Sequence, residues 1–284
     1  MGRFVIWTLL VWIGSLAGTA CSPRNGQLVA YDVAYGTDSL QRMDLHFVEG
    51  RDAATPLVML IHGGGWMAGD KHDADFMREA LFARGINVVN VNYRLGGETV
   101  HYPEMMADID AAVGYLLSHA REWGVRSSGI VLWGGSAGAH LALLYAYAYD
   151  NNDVVSLAIT LGAPTKFDSF ASMEGAKPQD IEGLLPIVTG RPWNYDETQL
   201  DEAYRLASPY YAPHFKPTLL VHGGADDIVP VGQSQIMCRR LQEAGVPCRL
   251  IVLTGAGHGG ENAPREESEA LNDALFEWIF KYSN

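Results

Sequence analysis

The five residues Gly134-Gly135-Ser136-Ala137-Gly138 constrain this chain more than any other stretch. Before them, Gly129 to Trp133 is a short apolar run that reads as a buried strand. After them, Ala137 to Tyr149 reads as a helix. A strand that turns at once into a helix holds its central residue in a strained conformation. The residues two before and two after that centre must then lack bulk, so that strand and helix can approach. The serine is left exposed at the strand end, beside N–H groups at a helix N-terminus that favour negative charge. In a chain with 31 glycines the motif alone carries little weight. Its flanks supply the strand-turn-helix context that the chemistry demands.

The rest of the chain repeats that alternation. Val29 to Tyr35 and Met43 to Val48 alternate apolar and polar residues across a Gly36-Thr37-Asp38-Ser39 turn, which predicts an antiparallel hairpin at a sheet edge. Leu57 to Ile61 is a continuous apolar run, as expected of a strand buried on both faces. Helices are expected over 73–84, 103–123, 233–244 and 266–282, and further strands over 86–91, 154–161, 218–221 and 249–253. Strands alternating with helices predict an α/β fold with a mostly parallel central sheet and helices on both faces. Residues 165–209 break the pattern, with Pro178, Pro186 and Pro192 among aromatic residues and only short helical stretches. This segment reads as a small cap insertion near the C-terminal edge of the sheet, or as a packed connector.

A serine hydroxyl needs a neighbouring base to take its proton, and the base needs a third group to fix its tautomer. Such partners belong at other strand ends. Two loops qualify, His222 to Pro230 (HGGADDIVP) and Gly255 to Gly260 (GAGHGG). His258, flanked by glycines just past a strand, is the best placed of the nine histidines. His62 and His222 each open a glycine-rich loop, where an imidazole braces a turn, and His140 is expected to pack against the sheet. No H-E-x-x-H or C-x-x-C spacing supports a metal site, and no cofactor is implied. After the Leu57–Ile61 strand comes His62-Gly63-Gly64-Gly65-Trp66. Attack on an ester creates an oxyanion, and consecutive glycines let backbone N–H groups approach it closely. The Ala137 amide would add a donor from the other side. The loop lacks both the Walker Lys–Ser/Thr ending and the G-x-G-x-x-G spacing of a phosphate cradle.

In this order, HGGGW with Gly69-Asp70-Lys71, then Asn92-Tyr93-Arg94-Leu95, GGSAG, HGGADDIVP and GAGHG resemble the α/β-hydrolase superfamily. More narrowly they are similar to its small carboxylesterases, the BD-FAE-like group related to hormone-sensitive lipase, acetyl-xylan and feruloyl esterases, and kynurenine formamidase. The likeness spans roughly residues 30–282. It implies Ser136 as nucleophile, Asp226 as acid, His258 as base, and Gly63, Gly64 and Ala137 as oxyanion donors. The chain departs from the usual S-A-G-G-H at Ala139, which adds a methyl to the helix but leaves Gly138 alone. Of the adjacent carboxylates the resemblance selects Asp226. Ile228 and Val229 read as folding back onto the core, which puts Asp227 at the loop's outer edge.

Before this unit, Arg3 precedes an apolar run from Phe4 to Ile13, too short to span a membrane, and then small residues to Ala20. Residues 1–20 read as an export signal and 21–28 as a polar tether, with the hydrolase domain over 29–284. Leu16 to Cys21 resembles a bacterial lipoprotein signal, except that Gly18 stands where an aliphatic residue is usual. Lipidation of Cys21 and plain cleavage after Ala20 both remain open. In an oxidising compartment Cys238 and Cys248 can pair, or stay as two thiols. A net charge of −13 without a basic block argues against nucleic acid. The expectation is an exported, periplasmic or cell-envelope serine esterase acting on a small-molecule or carbohydrate-linked ester. The alternatives are an amidase or peptidase on the same scaffold, and a hydrolase-fold binding protein without catalysis.

Overall fold

The computed structural model describes residues 26–168 and 178–283. The signal segment, Cys21 and most of the tether lie outside the described residues. One eight-stranded sheet organises the rest, in the order β1-β2-β4-β3-β5-β6-β7-β8. The strands are β1 (Leu28–Ala34), β2 (Arg42–Phe47), β3 (Leu57–Ile61), β4 (Asn87–Val91), β5 (Ile130–Gly135), β6 (Val155–Leu161), β7 (Thr218–Gly223) and β8 (Cys248–Leu253). The first two form the expected edge hairpin, β2 also runs antiparallel to β4, and every other pairing is parallel. The fold is α/β, a mostly parallel sheet with helices on both faces.

Alternation along the strands sorts two cores. Leu57, Met59 and Ile61 of β3, with Val89 and Val91 of β4, face a large cluster that includes helices α2 (Tyr102–Trp123), α3 (Ala137–Leu144) and α6 (Gly232–Glu243). Val58 and Leu60, with Val131 and Trp133 of β5, face a smaller cluster under α1 (Asp75–Phe82) and α7 (Arg265–Tyr282). A strand whose successive residues point to opposite faces must be apolar throughout when both faces are covered. That is why β3 reads as an unbroken apolar run, while β4 interrupts its valines with the buried Asn87 and Asn90. At the base of the sheet the buried Arg126 donates to the carbonyls of Thr55, Ala54, Gly129 and Ser283, tying the start of β3 and β5 to the end of α7.

Two expectations change. The helix expected over 137–149 is α-helical only to Leu144, and Tyr145–Tyr149 continues as a π-helical turn. Residues 165–209 contain more than short helical stretches, for α4 (Pro178–Thr189) runs twelve residues and α5 (Glu202–Leu206) follows. Pro186 lies inside α4, where an interior proline argues against helix because it removes a donor and crowds the preceding turn. The structure places it in the last turn, where its carbonyl accepts from Gly190 N–H. Cys238 of α6 and Cys248 of β8 are joined as a disulfide with 5.9 Å between their Cα atoms, within the spacing such a bond prefers.

Candidate active site

Ser136 sits between β5 and α3 with φ 52° and ψ −121°, a conformation L-residues rarely adopt. The turn is held because its neighbours leave no room for anything else. A Cβ on Gly134 would lie 2.2 Å from the Gly138 carbonyl oxygen, and one on Gly138 would lie 2.1 Å from that of Ile61. The first contact closes the turn, and the second seats α3 against β3. Ser136 N–H donates to Leu161 O at the end of β6 (2.7 Å), so three neighbouring strands fix the serine's place.

Asp226 and His258 come together across two loops. His258 Nδ1 lies 2.7 Å from Asp226 Oδ2. A carboxylate only accepts, so Nδ1 carries the proton and Nε2 is left as the acceptor. The same Asp226 oxygen lies 3.2 Å from His222 Nε2, while Oδ1 accepts from the N–H groups of Ile228 (3.0 Å) and Val229 (2.9 Å). His222 is itself fixed: Nε2–H also reaches Val229 O (2.9 Å), and Nδ1 accepts from Ser234 Oγ (2.7 Å). Burial pushes the Asp226 carboxyl up, but the hydrogen bonds from His222, His258 and Val229 override it and hold the group well below the usual carboxylate range. Asp227 is exposed at the loop's edge. Glu261 closes the histidine loop, accepting Gly259 N–H on its carboxylate (2.8 Å) and Gly257 N–H on its carbonyl (3.1 Å).

The HGGGW loop lies directly against the serine, since a Cβ on Gly63 would meet Gly135 O at 2.9 Å and Ser136 Cβ at 3.3 Å. Gly64, Gly65 and even Trp66 have positive φ. Several of the loop's carbonyls are occupied: His62 O accepts from Tyr93 Oη (3.0 Å), Trp66 O from Gly96 N–H (2.7 Å), and Gly64 O from Ala68 N–H (3.0 Å). Behind it, Asn92 accepts Lys71 N–H and donates to Asp70, while Lys71 Nζ pairs with Asp32 (2.9 Å) and Asp44 (3.3 Å). Among the described residues no acceptor engages the N–H groups of Gly63 and Gly64. Ala137 opens α3, so its N–H has no intrahelical acceptor either.

His140 does more than pack. Trp66 Nε1–H donates to its Nδ1 (3.1 Å), so Nε2 must carry the proton that reaches Ala207 O (2.6 Å). One buried imidazole thus links the HGGGW loop, the serine helix and the 165–209 segment. Burial pushes its pKa down to about 4, against a smaller upward pull from the bond to Ala207. Also joining that segment, His101 Nδ1 lies 2.8 Å from Ile187 O of α4. Sequence reasoning left out Glu261, the second donor His222 and the Trp66–His140–Ala207 link. Only Glu261, three residues beyond His258 in a glycine-rich loop, carried a local signal.

A family model described as BD-FAE matches residues 43–241. Esterase LipC of Mycobacterium tuberculosis is 25% identical over 244 residues, covering 80% of this chain and 59% of that protein. Isoprenylcysteine alpha-carbonyl methylesterase ICME of Arabidopsis thaliana is 23% identical over 247 residues, covering 81% and 56%. The chain thus spans less than two thirds of the length of these curated relatives. Among solved structures, the native form of Est2, an esterase of Thermogutta terrifontis, superimposes with a TM-score of 0.67 at 26% identity, over 90% of this chain and 93% of that one. A truncated carbohydrate esterase from gut microbiota gives 0.73 at 20% identity, over 91% and 98%.

Proposed function

The chain belongs to the BD-FAE family, and we propose that it is a serine esterase, cleaving carboxylic esters through an acyl-enzyme. The observation that carries this reading is the strained Ser136 lying against Gly63, in a site that also holds the 2.7 Å His258–Asp226 pair. In the proposed reaction Ser136 Oγ attacks the carbonyl carbon as His258 Nε2 takes its proton. The developing oxyanion is met by N–H groups of Gly63, Gly64 and Ala137. The imidazolium returns the proton to the leaving alcohol, and water then repeats the cycle on the acyl-enzyme. Asp226 stays ionised and holds His258 in the tautomer that leaves Nε2 free to act.

The finer reading is an exported, envelope-associated enzyme, anchored through Cys21 if that cysteine is lipidated, acting on acetyl or feruloyl esters of carbohydrates. The aromatic group in the 165–209 segment supports it. There Trp193 sits edge-on to Tyr204 (5.3 Å) and Tyr195 (6.4 Å), and Tyr195 is exposed. Tyr195 beside the half-buried Trp193 offers a flat apolar face to a sugar or an aryl group, with the buried Tyr204 bracing Trp193 from behind. The test is a panel of nitrophenyl esters beside acetylated xylan and methyl ferulate, run on the wild type and on Ser136→Ala. The variant should lose about 10⁴-fold or more of turnover while keeping its fold. A Ser136→Ala protein that cleaves nitrophenyl acetate near the parental rate would overturn the reading.

A further inference from the structure

The α1/α7 face of the sheet carries a cavity that the mechanism leaves unused. A groove of about 290 Å³ runs between the two helices, lined by Phe76, Met77 and Ala80 of α1 and by Leu271, Asn272 and Phe276 of α7, among others. Its floor is Trp133, Leu161, Val221 and Leu253, the upper ends of β5 to β8, and its wall includes Gly259 and Gly260, which follow His258. A smaller cavity of about 90 Å³ lies beside it and shares Met77 and Trp133. That cavity reaches Gly63 of the HGGGW loop and Gly135, the residue before the serine. Gly135 is where the space opens, because a Cβ built there would meet nothing within 4 Å. Phe76 at the groove's margin is 69% exposed, a large apolar surface left in water at a helix N-terminal turn.

We infer that the two cavities together form an acyl subsite, and that medium-chain aliphatic acyl esters are a further substrate class. This rests on the serine-esterase reading above. The direction of the path argues for acyl rather than alcohol. A tetrahedral intermediate on Ser136 turns its oxygen to the backbone donors and its leaving group to His258, which protonates it. The remaining substituent is the acyl chain. The smaller cavity touches Gly63 and Gly135 but no residue of the His258 loop, so the chain enters there and the groove receives its tail. From Ser268 to Phe276 the α7 wall is about 12 Å long at 1.5 Å per residue, the reach of a medium-length chain. The lining is mostly apolar, the polar exceptions being Asn272 and Ser268 in the α7 wall and His62 and Asp73 in the smaller cavity, so a methylene in the groove gains much of what it gains in a core. Each methylene that enters should raise kcat/KM by up to about fourfold.

The experiment compares two ester series on the wild type, Ala80→Trp and Asn272→Trp. One series lengthens the acyl group from nitrophenyl acetate to nitrophenyl decanoate, and the other lengthens the alcohol on acetate. Both substituted residues are exposed, and neither is in the catalytic machinery, so either variant can be read alone if the other fails to fold. The wild type should gain in kcat/KM along the acyl series. The tryptophan variants should hold nitrophenyl acetate within about twofold while losing tenfold or more on octanoate, with the alcohol series unmoved. A wild type that cleaves acetate but loses activity steadily with acyl length would overturn the subsite and leave the esterase reading intact. So would tryptophan variants that keep the parental acyl profile, or that change only the alcohol series. Loss of the esterase reading itself would show separately, as nitrophenyl acetate activity that survives Ser136→Ala.

Discussion

The two sides of the site are held by opposite means. On the proposed acid–base side, geometry comes from donors converging on one charge: His258, His222 and two backbone N–H groups all address the Asp226 carboxylate. On the proposed oxyanion side, no charge among the described residues touches the N–H groups of Gly63 and Gly64. Their position comes from backbone in positive φ, absent side chains, and an ion cluster around the buried Lys71 behind the loop. The first arrangement is directional and tolerates small shifts, because several bonds share the load. The second is steric, and a single methyl group in the wrong place displaces it. Charge here sets a tautomer, while shape aims dipoles.

This contrast can be broken most decisively at Asp226. Asp226→Asn keeps the volume but favours the wrong imidazole tautomer, and should cost roughly 10³–10⁴-fold in kcat at neutral pH. Asp227→Asn should cost less than about tenfold, as expected of an exposed loop carboxylate. Steady-state kinetics on one activated ester compares them, and the reverse order would move the acid to Asp227. On the steric side, Gly63→Ala pushes a methyl against Gly135 O and Ser136 Cβ. It should lower kcat by about 10²–10³-fold, the range for losing an oxyanion donor. If Gly63→Ala lost less than a few-fold, the oxyanion side would not be steric at all.

Acid should separate the two sides as well. His62 and His140, on the oxyanion side, have folded-state pKa values below the ordinary 6.5, burial being the main cause. Below about pH 6.5 the unfolded chain takes up those protons and the folded chain does not, so stability falls as pH drops, levelling only below the folded pKa values. Asp226 behaves otherwise. Its folded pKa is depressed below 3.8, so its contribution is intact above that value and is lost only as pH falls further. Urea midpoints should therefore drop between pH 7 and 5 in the wild type, and His140→Gln should flatten part of that slope. An unchanged slope in the variant would remove His140 from the account. The smallest effect on chemistry belongs to the disulfide, which lies outside both sides. Cys238→Ser should cost on the order of 2–3 kcal/mol of stability, as a closed loop of this length implies. It should leave kcat/KM unchanged, as denaturation and kinetics on the same preparation would show.

Much of this was legible from sequence because the informative residues stand at strand ends. Ser136, Asp226, His258 and the Gly63–Gly64 loop each follow an apolar run, and a parallel sheet gathers such positions at one edge. The parts that escaped depend on contacts across long separations. His140 meets Ala207 over 67 residues, and no local pattern distinguishes it from a packed core histidine. His222 could be read as a turn brace, which it is, but its bond to Asp226 requires knowing how the loop folds back. The groove escaped for another reason. Its lining recurs every three or four residues along α1 and α7 just as residues packed against a sheet do, and only three-dimensional spacing shows the groove between the two helices. Pro186 misled in the other direction, since local propensity disfavours a helix that packing nonetheless sustains.

All eight residues of α3 are buried, and its first residue follows Ser136. The serine is therefore mounted on one of the most protected elements of the molecule, whereas α5 and the turns around it present many exposed residues. In hydrogen-exchange terms, the α3 amides should open only with the global transition, and those of residues 190–206 should exchange through smaller openings. Warming would then loosen that stretch well before it disturbs the proposed nucleophile. Loss of selectivity would precede loss of chemistry.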